Sequence, residues 1–254
     1  MTPLPIRFVL VDTSHPGNIG AVARAMKNME LSDLALVRPR QFPHADALAR
    51  ASGAADVLAR ARIYATLPEA LEGCGWVVAC TSRERDHYYR VLDARAAATR
   101  AVAECAAADR RAGPPVAIVF GPEQSGLSNE DLAPVHALMR IPTGAEYASL
   151  NLAMAAQVVA YEIFCSRGSA VPDGKREQPL ADAVTMDRLY AHLDTVLREI
   201  DFRDRTQSGT SLINRIRRFL QRAELDSNEA NIVRGILTAV QRRRRRAGQS
   251  EDHK

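Results

Sequence analysis

No apolar stretch of the chain approaches the ~18 residues that a bilayer-spanning helix requires, so no membrane segment is expected. The opening "MTPLPIRFVLVDTSH" carries one basic residue and a short apolar run that ends in an aspartate. That run is too short for a signal peptide and reads as a first strand. Cys74, Cys80, Cys105 and Cys165 form no CxxC pair, and neither they nor the six histidines show metal-ligand spacing. Free thiols in a reducing cytosol, a cytoplasmic protein and no metal are the expectation. There is also no internal repeat. A phosphate loop would need G-K-[ST], and a dinucleotide loop would need G-x-G-x-x-G. The loop "HPGNIGAVARAMKN" offers only Gly17 and Gly20, and the second strand ends in arginines rather than an acid.

The 254 residues are 46% hydrophobic and 25% charged, ordinary for one large domain or a medium domain with a small one. The net charge of +4 is modest, but its distribution is uneven. "RIRRFLQRAEL" and "QRRRRRAG" put Arg215, Arg217, Arg218, Arg222 and Arg242 to Arg246 near the end of the chain. Such clusters attract polyanions, nucleic acid in particular. A solvated helix face and a frayed tail are the plain alternative.

Short apolar runs alternate with helical patterns through residue 166. The strand candidates are 6–11, 34–39, 62–66, 76–81, 116–121 and 137–142. They are continuously apolar rather than alternating, which suits a parallel sheet covered on both faces. A long helix follows, with Leu150, Ala153, Met154, Gln157, Val158 and Tyr161 at helical spacing and Gly168 at its end. Residues 167–185 are rich in glycine, proline and charge and read as a linker. Residues 186–254 show three helical patterns and no strand. They predict a small all-α extension whose third helix is capped near Ser227, and whose end, after 247, is disordered.

Three loops stand out. In the first, Asn18 is a candidate cap for a helix starting near Ile19, and Arg24 lies one turn inside that helix. The second, "FGPEQSGLSNEDL", follows a strand and holds Gly121, Glu123 and Gly126, with Ser128 as a candidate cap. The third, "IPTGAEYASLNLAMA", runs from a loop into a helix whose first turn carries Ser149 and Asn151. Each is weak alone; together and in this order they are specific.

"NIGAVARAMKN", "GPEQSGL" and "IPTGAEYASLNLAMA" resemble the three motifs of the SpoU branch of the SPOUT methyltransferases. The opening "VDTSHPGNIGAVARAMKNM" and the tail with "NIVRGIL" resemble its bacterial tRNA-modifying members, so the likeness covers almost the whole chain. The resemblance implies an α/β fold, a parallel sheet with a C-terminal trefoil knot, acting as a homodimer. It implies S-adenosylmethionine as methyl donor and a ribose 2'-oxygen as acceptor, at cytidine or uridine 32 of the tRNA anticodon loop. The donor contacts it implies are Cys80, Thr81, Ser82, Gly121, Ile141, Ser149 and Leu150. Catalysis would fall to Arg24, Ser149 and Asn151, with Asn18 shaping the RNA-facing loop. Arginine is a poor base, so Arg24 is read as a cation for the adjacent phosphate and the charge developing on the 2'-oxygen. Glu123 is assigned a structural role, pairing with backbone N–H groups or an arginine. Arg83 and Arg85, beside His87 in "RERDHYYRVLD", are RNA-contact candidates with an ordinary surface loop as the equal alternative. Arg215, Arg217 and Arg218 are the tRNA contacts expected of the extension.

Overall fold

The computed structural model describes residues 4–83, 89–107, 116–144, 146, 149–168, 179–202 and 212–251. Arg85 and His87 lie outside the described residues.

The six apolar runs all form strands: β1 (Ile6–Val11), β2 (Asp33–Val37), β3 (Arg62–Tyr64), β4 (Trp76–Cys80), β6 (Val116–Phe120) and β7 (Ala137–Arg140). A seventh, β5 (Arg90–Asp93), was not anticipated. It is a short, largely exposed edge strand with charged ends, so it lacks the apolar signal of a buried one. The sheet is wholly parallel, in the order β3-β2-β1-β6-β4-β7-β5.

Alternate residues of each central strand feed different cores, which is why the runs look continuous. Ile6, Phe8 and Leu10 of β1 face one side, with the Phe8 and Phe120 ring centroids 5.4 Å apart. On that side lie α1 (Pro16–Asn28), α2 (Ala45–Ala51), α3 (Ala55–Ala59), α5 (Ala94–Ala107) and α6 (Leu152–Ser166). Val9 and Val11 face the other side, against the short α4 (Leu67–Leu71) and the segment around Leu127–Leu138. Arg7, the one charged residue of β1, is buried and engaged by Asp33 at 3.1 Å and by the Ala70 carbonyl at 2.8 Å.

Helix α6 is apolar nearly all round. Its core face is Leu152, Ala155, Ala156, Val159, Ala160 and Ile163. Of the positions picked out by helical spacing, Met154 and Tyr161 are instead exposed, as is Phe164.

The extension comprises α7 (Ala183–Glu199), α8 (Leu212–Ala223) and α9 (Ser227–Glu251). Asp182 caps α7, accepting from the Thr185 amide at 2.7 Å, so the helix starts inside the stretch read as linker. The cap of α9 is Asp226, not Ser227. Asp226 and Glu229 exchange backbone-to-carboxylate hydrogen bonds at 2.7 and 2.9 Å, a reciprocal capping box with an acid in place of Ser or Thr. The helix continues to Glu251, past residue 247.

The extension has a core of its own, centred on Leu189, Tyr190, Leu193, Val196 and Leu220. It is also tied to the sheet domain. Leu180 is buried in the sheet's main core and pairs with Asp226 in an antiparallel bridge. Arg100 of α5 holds Glu224 at 2.7 Å, and the Arg218 guanidinium lies 5.3 Å over the Tyr89 ring.

Candidate active site

The first loop delivers β1 into the amino end of α1. Pro16 occupies the first turn, where its missing N–H costs nothing. Asn18 is therefore inside the helix and does not cap it. Its side-chain amide donates instead to Oε1 of Glu123, at 2.8 Å. Oε2 of the same carboxylate accepts from the Ser14 amide at 3.1 Å and the Ser14 hydroxyl at 2.8 Å, and the His15 amide is 3.4 Å from Oε1. In dinucleotide folds this helix end holds a phosphate. Here it holds a carboxylate from the neighbouring strand's loop. Burial pushes the Glu123 carboxyl up, but the hydrogen bonds from Asn18 and Ser14 outweigh it and hold its pKa at about 2. Glu123 is thus the anchor that the first loop closes on.

Beyond Glu123, the loops leaving the carboxyl ends of β4, β6 and β7 enclose a cavity of about 320 Å³. Cys80, Thr81, Ser82, Gly121, Ile141, Ser149 and Leu150 all line it, together with Arg83, Phe120, Glu123, Gln124, Leu127 and Leu152. Gly121 makes the tight fold of the second loop possible. A Cβ there would stand 2.5 Å from the Leu127 amide nitrogen and 2.8 Å from the Gly126 carbonyl carbon. Gly126 has φ +65°, a left-handed conformation that favours glycine. Burial pushes the Cys80 thiol up to about 12, so it lines the cavity as a neutral group rather than a nucleophile.

A second, larger hollow of about 710 Å³ lies over α1 between α2 and α6. Gly17, Asn18 and Ala21 form its α1 side, and Asn151 and Met154 contribute from α6. Asn151, which lines the second hollow, stands between Leu150 and Leu152, which line the first. Its Oδ1 caps α6 by accepting from the Ala153 amide at 2.9 Å, and its Nδ2 donates to Oδ1 of Asn18 at 3.3 Å. Asn151, Asn18 and Glu123 therefore form one hydrogen-bonded chain along the boundary. Ser128 forms a local turn with Asp131, whose amide donates to its hydroxyl at 3.1 Å.

Arg24 does not line the 320 Å³ cavity. It is exposed on α1, seven residues on from Gly17 and three from Ala21, which places all three on the helix face that floors the second hollow. Arg83, read as an RNA contact, lines the smaller cavity and reaches the Gln124 carbonyl at 3.5 Å. The extension's arginines do not form one free basic face. Arg215, Arg217 and Arg218 are half-buried, and Arg217 lies 5.2 Å over the Tyr190 ring. Arg242 to Arg244 are exposed. The part of Glu123 as a wall of the cavity was not foreseen, although the residue sits in the middle of "GPEQSGL".

The residues lining the smaller cavity suit S-adenosylmethionine. Apolar walls from Phe120, Leu127, Ile141, Leu150 and Leu152 suit an adenine, and tight loops put backbone polar groups beside it. The Glu123 carboxylate would place negative charge in the wall beside a sulfonium. The loop at the amino end of α1 is already engaged by that carboxylate.

Residues 5–161 match the family model described as the SpoU rRNA Methylase family, and residues 184–250 match that of the tRNA methyltransferase TrmJ C-terminal domain. The chain is 44% identical over 247 residues to the tRNA (cytidine/uridine/adenosine-2'-O-)-methyltransferase TrmJ of Pseudomonas aeruginosa, covering 93% of this chain and 94% of that protein. It is 43% identical over 242 residues to the tRNA (cytidine/uridine-2'-O-)-methyltransferase TrmJ of Escherichia coli, covering 93% and 95%. Among solved structures, TrmJ from Z. mobilis ZM4 superposes with a TM-score of 0.78 at 31% identity, covering 95% of this chain and all of that one.

Proposed function

The chain belongs to the SpoU methylase family, and from that membership and the geometry we propose that it transfers a methyl group from S-adenosylmethionine to a ribose 2'-oxygen of tRNA. The target is nucleotide 32, cytidine or uridine, in the anticodon loop. The observation that carries the reading is the hydrogen-bonded chain that joins the two hollows: Asn151 and Asn18, in the groove floored by the Arg24 face, connect to Glu123 in the wall of the cavity suited to the donor. A tRNA rather than a ribosomal substrate is supported by the match of residues 184–250 to a tRNA methyltransferase domain.

When bound, S-adenosylmethionine supplies an electrophilic methyl group. The chain's part is to position the acceptor and stabilise charge. Ser149 and Asn151 stand at the start of α6, where they hold the ribose at the boundary. Asn151 is itself fixed at both ends of its amide, by Ala153 and Asn18. The Arg24 guanidinium binds the adjacent phosphate and stabilises the negative charge that grows on the 2'-oxygen as its proton leaves. In-line placement of the reacting atoms supplies much of the remaining acceleration.

The protein works as a cytoplasmic homodimer. Support comes from Met154, Tyr161 and Phe164, which leave the outer face of α6 apolar and uncovered in the single chain. The trefoil knot is supported by the sheet order, in which β7 enters between β4 and β5, both earlier in the chain. The test is mass mapping of methylation on unmodified tRNA and on ribosomal RNA incubated with the purified protein and S-adenosylmethionine. Methyl groups confined to the ribose of nucleotide 32 in tRNA are the expected result. Modification of ribosomal RNA alone, or of a base, would refute it.

A further inference from the structure

The groove over α1 contains a cation that the proposed chemistry does not use. Helices α1 and α2 pack unusually closely, because Gly20 has no side chain. A Cβ at Gly20 would lie 2.0 Å from the Ala47 carbonyl oxygen, a distance no real Cβ tolerates. This contact sets α2 in register along α1. Three residues before Gly20 on α1 is Gly17, and three residues after Ala47 on α2 is Arg50. There the Arg50 side chain lies across Gly17, with Nε 3.5 Å and Cδ 3.7 Å from where a Gly17 Cβ would stand. Two glycines one turn apart thus bring a long cationic side chain over the amino end of α1 and into the groove wall.

Arg50 is exposed, and among the described residues it has no hydrogen bond or ion pair. Among the described residues the one acid lining the groove is Asp46, one turn earlier on α2, whose amide donates to Nδ1 of His44 at 3.1 Å. Arg24 follows on the same α1 face as Gly17 and Ala21. The groove therefore carries an arginine in its wall and another just beyond its floor.

We propose that Arg50 is a substrate-binding residue that grips an RNA phosphate next to the methylated nucleotide, holding the strand in the α1 groove so that its ribose reaches the Asn18–Asn151 boundary. A guanidinium suits this task because its planar fork matches a phosphate with two parallel hydrogen bonds. The inference rests on the proposed RNA substrate but not on the identity of the methyl donor.

The test compares wild type with Arg50→Ala, Arg50→Lys and Arg50→Glu, using an unmodified tRNA transcript as probe. Binding is measured at several salt concentrations, alongside steady-state kinetics and S-adenosylmethionine affinity. Losing one phosphate contact should flatten the slope of log affinity against log salt by about 0.7 to 0.9. Arg50→Ala should raise KM for tRNA several-fold, with kcat and donor affinity within twofold of wild type. Arg50→Lys should recover part of the loss, and Arg50→Glu should be worse than Ala. An unchanged slope and KM in Arg50→Ala, or a loss confined to kcat or donor affinity, would overturn the assignment. Wild type that binds tRNA but transfers no methyl group would refute the proposed reaction while the salt slopes still decide the role of Arg50. Wild type that binds no RNA overturns both.

Discussion

Replacing Glu123 with glutamine tests whether the first loop is built around a carboxylate. The substitution keeps the shape of the side chain but turns one acceptor oxygen into a donor amide. Both ends of the carboxylate face donors: Ser14 on Oε2, and Asn18 on Oε1. Whichever way the new amide points, donor meets donor. The size of the effect follows from the carboxyl, held at about 2 against roughly 4.3 for an ordinary glutamate, with each unit worth about 1.36 kcal/mol. The gross figure is about 3 kcal/mol, and because Glu123 is only partly buried, solvent screening reduces it to about 1–2 kcal/mol. For a chain of this size that is a fall of roughly 4 °C in melting temperature at pH 7. The sign of the pH dependence is definite. A depressed carboxylate stabilises the fold above its unfolded pKa and loses that contribution as pH falls through the folded value. About 1 kcal/mol of it is gone by pH 3.5, so the gap between wild type and variant should narrow there. Thermal or urea unfolding of both proteins at pH 7 and pH 3.5 reads this directly. A variant within 1 °C of wild type at pH 7, or a gap that does not change with pH, would refute the reasoning.

Arg24→Ala should lower methyl transfer by about a hundredfold or more, the scale of a lost electrostatic stabiliser, while S-adenosylmethionine still binds; single-turnover kinetics with parallel calorimetry separate the two, and turnover within threefold of wild type would remove Arg24 from the chemistry. Gly121→Val would push its side chain into the Leu127 and Gly126 backbone, which cannot yield as a flexible side chain can, so donor affinity should fall at least tenfold by calorimetry. Gly20→Ala should cost about 2 kcal/mol or more by forcing α1 away from Ala47, read as a shifted denaturation midpoint. Cutting the chain after Asp182 keeps Leu180 in the sheet's core. That fragment should remain folded and bind S-adenosylmethionine, but bind tRNA more weakly and with a shallower salt slope; affinity and slope equal to those of the full chain would show that the extension adds no RNA contacts.

The parallel α/β class, the positions of six strands and the helical nature of the extension were legible because they depend on local signals. A strand buried on both faces must be apolar throughout, and a helix that packs on one side must repeat its apolar residues at helical spacing. β5 escaped because an edge strand needs no such pattern. The candidate site was legible through short motifs whose glycines and polar residues are unusual together. The partners of those residues were not. That Asn18 points to Glu123 rather than capping its own helix depends on a loop 105 residues away reaching the amino end of α1. That Arg217 and Arg218 pack over tyrosines, while Arg50 stands free in a groove, depends on how helices pack, which no run of neighbouring residues records. Composition and periodicity determined which segments are strands and helices and where charge is concentrated. Only the tertiary structure decided which charges are neutralised, which glycines are required by close contact, and which hydrogen bonds join the two hollows, because each of these is a contact between residues far apart in the chain.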